Sequence, residues 1–219
     1  MKIIAATLLV TTLCLNTKAQ GEIQFNNTAA TATKISTNSV PNGPPTGLTG
    51  TSFGSYNYAL FYSKISPSVH GSTAAKFGTV SGLVLDDLNW SFATYGTNTA
   101  LAGRLFSTTP NLDGSTTVNG VAGGAAAYFV VLGWSSSAGT TLNDLKNTIN
   151  TTDGFWLGES AVSGLLTLGD GGPIPPSSLF GAATPFIPGF TLGVVVPEPS
   201  SVVMLSMGFS GLWLLKRRK

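Results

Sequence analysis

Tyr56-Asn57-Tyr58-Ala59-Leu60-Phe61-Tyr62-Ser63 and Ala126-Ala127-Tyr128-Phe129-Val130-Val131-Leu132-Gly133 decide the fold class. Both runs are rich in aromatic side chains, the second adds β-branched Val130 and Val131, and both are short enough to be strands rather than helices. Working outward, the same pattern marks strands at 23–26, 76–84, 100–106, 116–118, 154–157, 164–168 and 190–195. Between them stand Pro-Asn-Gly-Pro-Pro (41–45), Leu-Asp-Gly-Ser (112–115) and Gly-Asp-Gly-Gly-Pro (169–173), which supply the positive φ values and missing donors of tight turns. The polar Gly/Pro stretch 36–52 reads as a surface loop. One short helix is expected after Thr141, because Thr141-x-x-Asp144 forms a capping-box start and Leu142, Leu145 and Ile149 share a helical face. The expected architecture is all-β: an antiparallel β-sandwich, jelly-roll-like, with this helix as a lid on one edge.

Composition agrees with that class. The 219 residues include 27 Gly and 12 Pro, which argue against long helices, and only 9% are charged, against about 25% in an average soluble domain. The formal charge of +2 is unevenly spread. Lys2, Lys18 and the last four residues hold most of the cations; residues 20–196 carry five cations and eight acids, a net −3. Such a body has no electrostatic footprint for nucleic acid, which is excluded as a partner. Ser and Thr make up 43 of the same 177 residues, an uncharged hydroxyl surface.

The ends carry addresses. Residues 1–19 read as a signal peptide: Lys2, an apolar stretch, then Thr17-Lys18-Ala19, so that signal peptidase would cut between Ala19 and Gln20. Cys14 is the only cysteine and leaves with it, removing any disulfide or thiolate metal site from the mature chain. Residues 197–219 are tripartite. Pro197-Glu198-Pro199 hold the chain extended, an apolar run follows, and Lys216-Arg217-Arg218-Lys219 close it. At 1.5 Å per residue the apolar run spans about 21–24 Å of a ~30 Å hydrocarbon core, and the cations orient it with the end on the cytoplasmic side.

This ending resembles the PEP-CTERM sorting signal of Gram-negative bacteria. The resemblance implies transient anchoring in the inner membrane as a transmembrane helix. An exosortase-type membrane protease then cuts, and the protein is delivered to the cell surface, outer membrane or extracellular matrix alongside exopolysaccharide. The body is similar to a recurrent domain of exported PEP-CTERM proteins in Phe25-Asn26-Asn27, Tyr58-Ala59-Leu60-Phe61-Tyr62, Val131-Leu132-Gly133-Trp134 and Phe190-Thr191-Leu192. Residues 20–196 are therefore read as the β-sandwich domain, between signal peptide and sorting tail.

The inventory for chemistry is thin. His70 is the only histidine, so no multi-histidine metal site exists, and no Gly-x-Ser-x-Gly elbow accompanies it. Asp86, Asp87, Asp113, Asp153, Glu159 and Asp170 are the carboxylates from which a glycosidase pair would be drawn, but no spacing singles out two of them. Asp86-Asp87 is the one loop with acids adjacent for calcium, without the Asp-x-Asp-x-Asp-Gly pattern. Tyr58, Tyr62, Trp90, Tyr95, Tyr128, Trp134 and Trp156 are stacking candidates for sugars and equally core fillers. Among them Trp156, before Gly158-Glu159-Ser160, is the candidate glycan contact. The expectation is a non-enzymatic chain with no cofactor, no metal and no catalytic residue, structural or adhesive in role. A carbohydrate-binding module for matrix glycan is the alternative, and a secreted glycosidase stands third. An exposed planar row of aromatics would favour the second, two carboxylates about 5–10 Å apart in a cleft the third.

Overall fold

The computed structural model describes residues 20–29, 33–39, 45–65, 76–77, 80, 82–149, 151–152 and 154–195. The signal peptide, His70, Asp153, the Pro-Glu-Pro block and the basic end all lie outside these residues. In chain order the strands are β1 (Gln20–Gln24), β2 (Ser36–Asn38), β3 (Gly47–Leu48), β4 (Tyr56–Ser63), β5 (Lys76–Phe77), β6 (Ser91–Asn98), β7 (Leu105–Ser107), β8 (Thr116–Ala122) and β9 (Ala126–Ser135). β10 (Trp156–Glu159), β11 (Leu166–Thr167), β12 (Ser177–Ser178) and β13 (Thr191–Val194) follow the helix α1 (Leu142–Thr148). The described residues are all-β with one short helix.

The long apolar runs form the centre. β4 pairs antiparallel with β9 along its whole length and with β6 on its other side. The large sheet runs β3-β2-β13-β10-β9-β4-β6-β7, with β5 beside β10 and β11 beside β9. A small sheet, β12-β1-β8, lies apart from it. The expectation of purely antiparallel pairing is corrected here: β13 pairs parallel with β2, and β1 parallel with β12. Both parallel neighbours are far apart in sequence, so long connections rather than hairpins join them.

Alternation along β4 and β9 splits the core in two. Tyr58, Leu60, Ala127, Phe129 and Val131 face a cluster shared with Ile23, Phe25, Val118 and Val121 of the small-sheet side. Ala59, Phe61, Val130, Leu132 and Trp134 face a second cluster with Leu83, Val84, Leu145 and Phe155. The capping box at Thr141 is present, Thr141 and Asp144 bonding reciprocally, and the Leu142 amide donates to the Tyr95 hydroxyl at 3.1 Å. Leu145 enters the second cluster, so the helix covers a face of the sheet rather than an edge.

The large sheet curls until its ends meet. Ile35 N donates to Gly103 O, Gly103 N to Thr49 O, and Asn98 Nδ2 to the carbonyls of Gly50 and Ser52. Chain following β3 thus satisfies chain preceding β7, and open edge groups are removed. Gly103 turns at φ +73, and a Cβ there would sit 2.9 Å from Lys34 Cβ, so the expected strand 100–106 begins only at Leu105. Asn27 rivets this corner. Its Nδ2 donates to Thr33 O and Gly103 O, its Oδ1 accepts from Leu105 N at 2.6 Å, and its carbonyl accepts from Arg104 Nη1. Beyond β10, serine hydroxyls replace ladder groups: Ser160 Oγ accepts from Val131 N and Ser163 Oγ from Phe129 N.

Three further expectations change. Ser91–Asn98 is an eight-residue strand that the sequence pattern hides, because Gly96 interrupts it; a Cβ there would lie 2.8 Å from the Phe25 ring and 2.9 Å from Phe106 O. The stretch 36–52 contains β2 and β3, with Thr37, Asn38 and Thr49 buried, so it is sheet as well as loop. Of the expected strand 76–84, Lys76–Phe77 is strand and Val84 begins a 3-10 turn.

Candidate functional site

A concavity outlined by the described residues lies over β1. Glu22 sits mid-strand, opposite Thr117 of β8, and exchanges backbone hydrogen bonds with Gly169 on its other side. Because Gly21, Ile23 and Phe25 point inward, the period-two alternation turns Glu22 outward. Two loops rise beside it. One, between β7 and β8, contributes Pro110, Asn111, Leu112 and Asp113; the other, between β11 and β12, contributes Gly171, Gly172, Ile174 and Pro176. They flank an open cleft of about 630 Å³.

Local hydrogen bonds build both walls. Asn111 N donates to Ser115 O at 2.7 Å and Gly114 N returns to Asn111 O at 3.0 Å, with Gly114 at φ +79 closing the turn. Asp113 Oδ1 accepts from Ser115 N and Ser115 Oγ. The Ser115 hydroxyl and then its backbone N–H hold the exposed Asp113 carboxyl below the usual range, so it is ionised at neutral pH. On the opposite wall Asp170 Oδ1 accepts from Gly172 N and Ile174 N, fastening that loop. Asn111 Nδ2 donates to Glu22 Oε1 at 3.1 Å, which joins floor to wall.

Two carboxylates therefore share this cleft. Ser115 Oγ lies 3.4 Å from Glu22 Oε2 and 2.7 Å from Asp113 Oδ1, so these oxygens are at most about 6 Å apart, at or below the short end of the roughly 5–9.5 Å range of glycosidase pairs. Spacing alone does not make an acid catalyst. A general acid needs a raised pKa, and Asp113 is pushed the other way, which suits it only to the ionised partner of such a pair.

The residues singled out in sequence are scattered. Trp156 is half-buried in β10, packs against the first cluster and donates its backbone N–H to Ser135 Oγ; it is not part of the cleft. Gln20 opens β1, while Ala19, Pro197, Glu198, Pro199, Lys216, Arg217, Arg218 and Lys219 lie outside the described residues. Glu159 is buried, its Oε2 accepting from Val84 N at 2.6 Å, away from the Glu22 cleft. Tyr58 and Trp134 are fully buried and Trp90 nearly so; burial pushes the Tyr58 hydroxyl well above the ordinary tyrosine range. Exposed Phe92 meets Tyr95 at 4.6 Å with planes inclined 50°, and Phe61 at 6.0 Å and 74°, which is not a coplanar row. Glu22 itself was missed in sequence. Its signal is a single acid on the outward positions of an otherwise neutral strand.

Among the described residues no group of three His, Cys, Asp or Glu side chains is placed to hold a metal ion, and no helix is long and apolar enough to cross a membrane. The chain matches no protein-family model, no curated protein and no solved structure. The likeness of its tail to the PEP-CTERM signal rests on its own residues.

Proposed function

We propose that this chain is an exported, non-catalytic protein of the cell surface or extracellular matrix, structural or adhesive in role and associated with exopolysaccharide. The observation that carries the proposal is the order of the tail: Pro197-Glu198-Pro199, an apolar run, then Lys216-Arg217-Arg218-Lys219. Prolines keep the backbone extended and open to a protease, the apolar run holds the substrate in the inner membrane, and the cations set its orientation. Signal peptidase acts at Ala19 and Gln20, and an exosortase-type protease near Pro-Glu-Pro. The finer fold assignment belongs to the same proposal. The core shared between the two sheets supports a sandwich, and the two parallel pairings speak against a strict jelly roll.

A carbohydrate-binding module is the second reading, favoured by the cleft over Glu22.

Mass spectrometry of the surface or secreted form, in a host with the matching protease, tests the proposal. Peptides beyond Pro199 should be missing from that form. Replacing the last four residues by Gln should weaken retention, and replacing Pro197, Glu198 and Pro199 by Ala should block the cut while insertion persists. Recovery of peptides running through Trp213 to Lys219 overturns the sorting reading.

A further inference from the structure

The polar side of the cleft over β1 accepts hydrogen bonds and donates few. Asn111 spends its Nδ2 on Glu22, Ser115 and Thr117, which leaves its Oδ1 open. Asp113 engages Ser115 through Oδ1 and leaves Oδ2 open. Glu22 keeps lone pairs on both oxygens after its bonds to Asn111 and Ser115. No Lys, Arg or His is among the described lining residues. The rest of the lining is aliphatic or bare backbone. Leu112 stands wholly exposed at one lip, Ile174 is partly exposed on the other wall, and Gly171 and Gly172 present main chain without side chains.

A matching ligand must donate hydrogen bonds, carry no negative charge and offer an apolar face. The volume falls within the roughly 300–1,000 Å³ of small-molecule sites and far exceeds an ion. A calcium site would gather its oxygens to about 2.3–2.6 Å from one point, whereas these acceptors are spread along a cleft with aliphatic lips. We propose that the cleft binds a neutral pyranose unit of a glycan chain. Its hydroxyls donate to Glu22, Asn111 and Asp113, and its C–H face rests on Leu112 and Ile174. Uronate- and phosphate-bearing chains are rejected, because two carboxylates and no cation meet them. This inference deepens the carbohydrate-binding reading above and rests on it.

The full-length chain, held in an amine-oxide detergent that has no sugar headgroup, is titrated calorimetrically with neutral gluco-, galacto- and manno-oligosaccharides and with oligouronates. At least one neutral oligomer should bind and the oligouronates should not. Glu22→Gln and Asp113→Asn should each weaken binding about tenfold or more. Leu112→Asp, at a fully exposed tip that contributes nothing to the core, should weaken it with an unchanged melting temperature. Preferential oligouronate binding overturns the proposal, as does binding that requires calcium chloride and vanishes with EDTA. Binding indifferent to all three variants removes the cleft but leaves a carbohydrate module standing. Failure of every oligomer to bind removes both.

Discussion

The two faces of the large sheet are made by alternate residues of the same strands, yet they are covered by different means. Over Leu60 and Phe129 lies a second sheet, tied to the first by backbone: Asn26 bridges to Phe106, Glu22 to Gly169, and Asn27 N donates to Leu105 O. Over Leu132 and Trp134 lie a seven-residue helix and a 3-10 turn, tied largely by side chains. The Tyr95 hydroxyl meets the helix N-terminus, Trp134 Nε1 donates to Gly139 O, and Glu159 receives Val84 N. A cover hydrogen-bonded through its main chain holds its place when a side chain is lost beneath it. A cover held by a few side chains settles into the gap. The difference teaches where this core is stiff.

Leu60→Ala and Leu132→Ala break or sharpen that contrast most strongly. Both leucines are fully buried on the central strands, one on each face. Leucine-to-alanine changes cost about 2–5 kcal/mol, and the cost grows with the cavity that survives relaxation. Leu60→Ala should approach the upper end, near 4–5 kcal/mol, and Leu132→Ala the lower, near 2–3 kcal/mol, by urea denaturation. Equal losses, or a larger loss at Leu132, would show the helical cover to be as rigid as the small sheet.

The same contrast separates what was legible in the sequence from what was not. Tyr56–Ser63 matches its expected span because four aromatic residues are spread along it with no Gly or Pro to interrupt. The helix start was readable because a capping box is local chemistry. Ser91–Asn98 was hidden, since Gly96 reads as a breaker until Phe25, 71 positions earlier, is known to need its space. The cleft was hidden for the same reason. Glu22 and Asp113 become neighbours only because β1 pairs with β8, and the opposite wall arrives through the bridge to Gly169. Periodicity reports which way a side chain points along its own strand; it does not report which distant loop stands beside it.

Asn27 tests the small-sheet side, where one side chain reinforces the backbone ties. Truncation to alanine leaves Leu105 N and the carbonyls of Thr33 and Gly103 without their side-chain partner, in a place where Asn27 is fully buried. An orphaned buried polar group costs about 1–3 kcal/mol, so Asn27→Ala should lose about 2–3 kcal/mol. Amide exchange should quicken first at residues 103–105 and 35, where the sheet ends meet, before it changes in α1. Exchange that rises first in the helix would mean that the corner does not organise the curl.

The smallest effect belongs to the helix cap. Thr141→Ala removes the hydroxyl that accepts from Asp144 N at 3.2 Å, and should cost about 1 kcal/mol. Acid probes the same contact from the other partner. The Thr141 hydroxyl and then its backbone N–H hold the exposed Asp144 carboxyl below its usual pKa, so the folded chain favours the ionised form. A carboxyl depressed on folding contributes stability above its unfolded pKa, near 3.9, and loses it as pH falls through the lower folded value. Helical chemical shifts over Leu142–Thr148 should therefore hold from neutral pH to about 4 and decline below it, while those of β4 stay unchanged. In Thr141→Ala the decline should flatten, because the contact that favoured the charged form is gone. A helix that weakens already between pH 7 and pH 5, or a decline identical in the variant, would place the acid response elsewhere than in the cap.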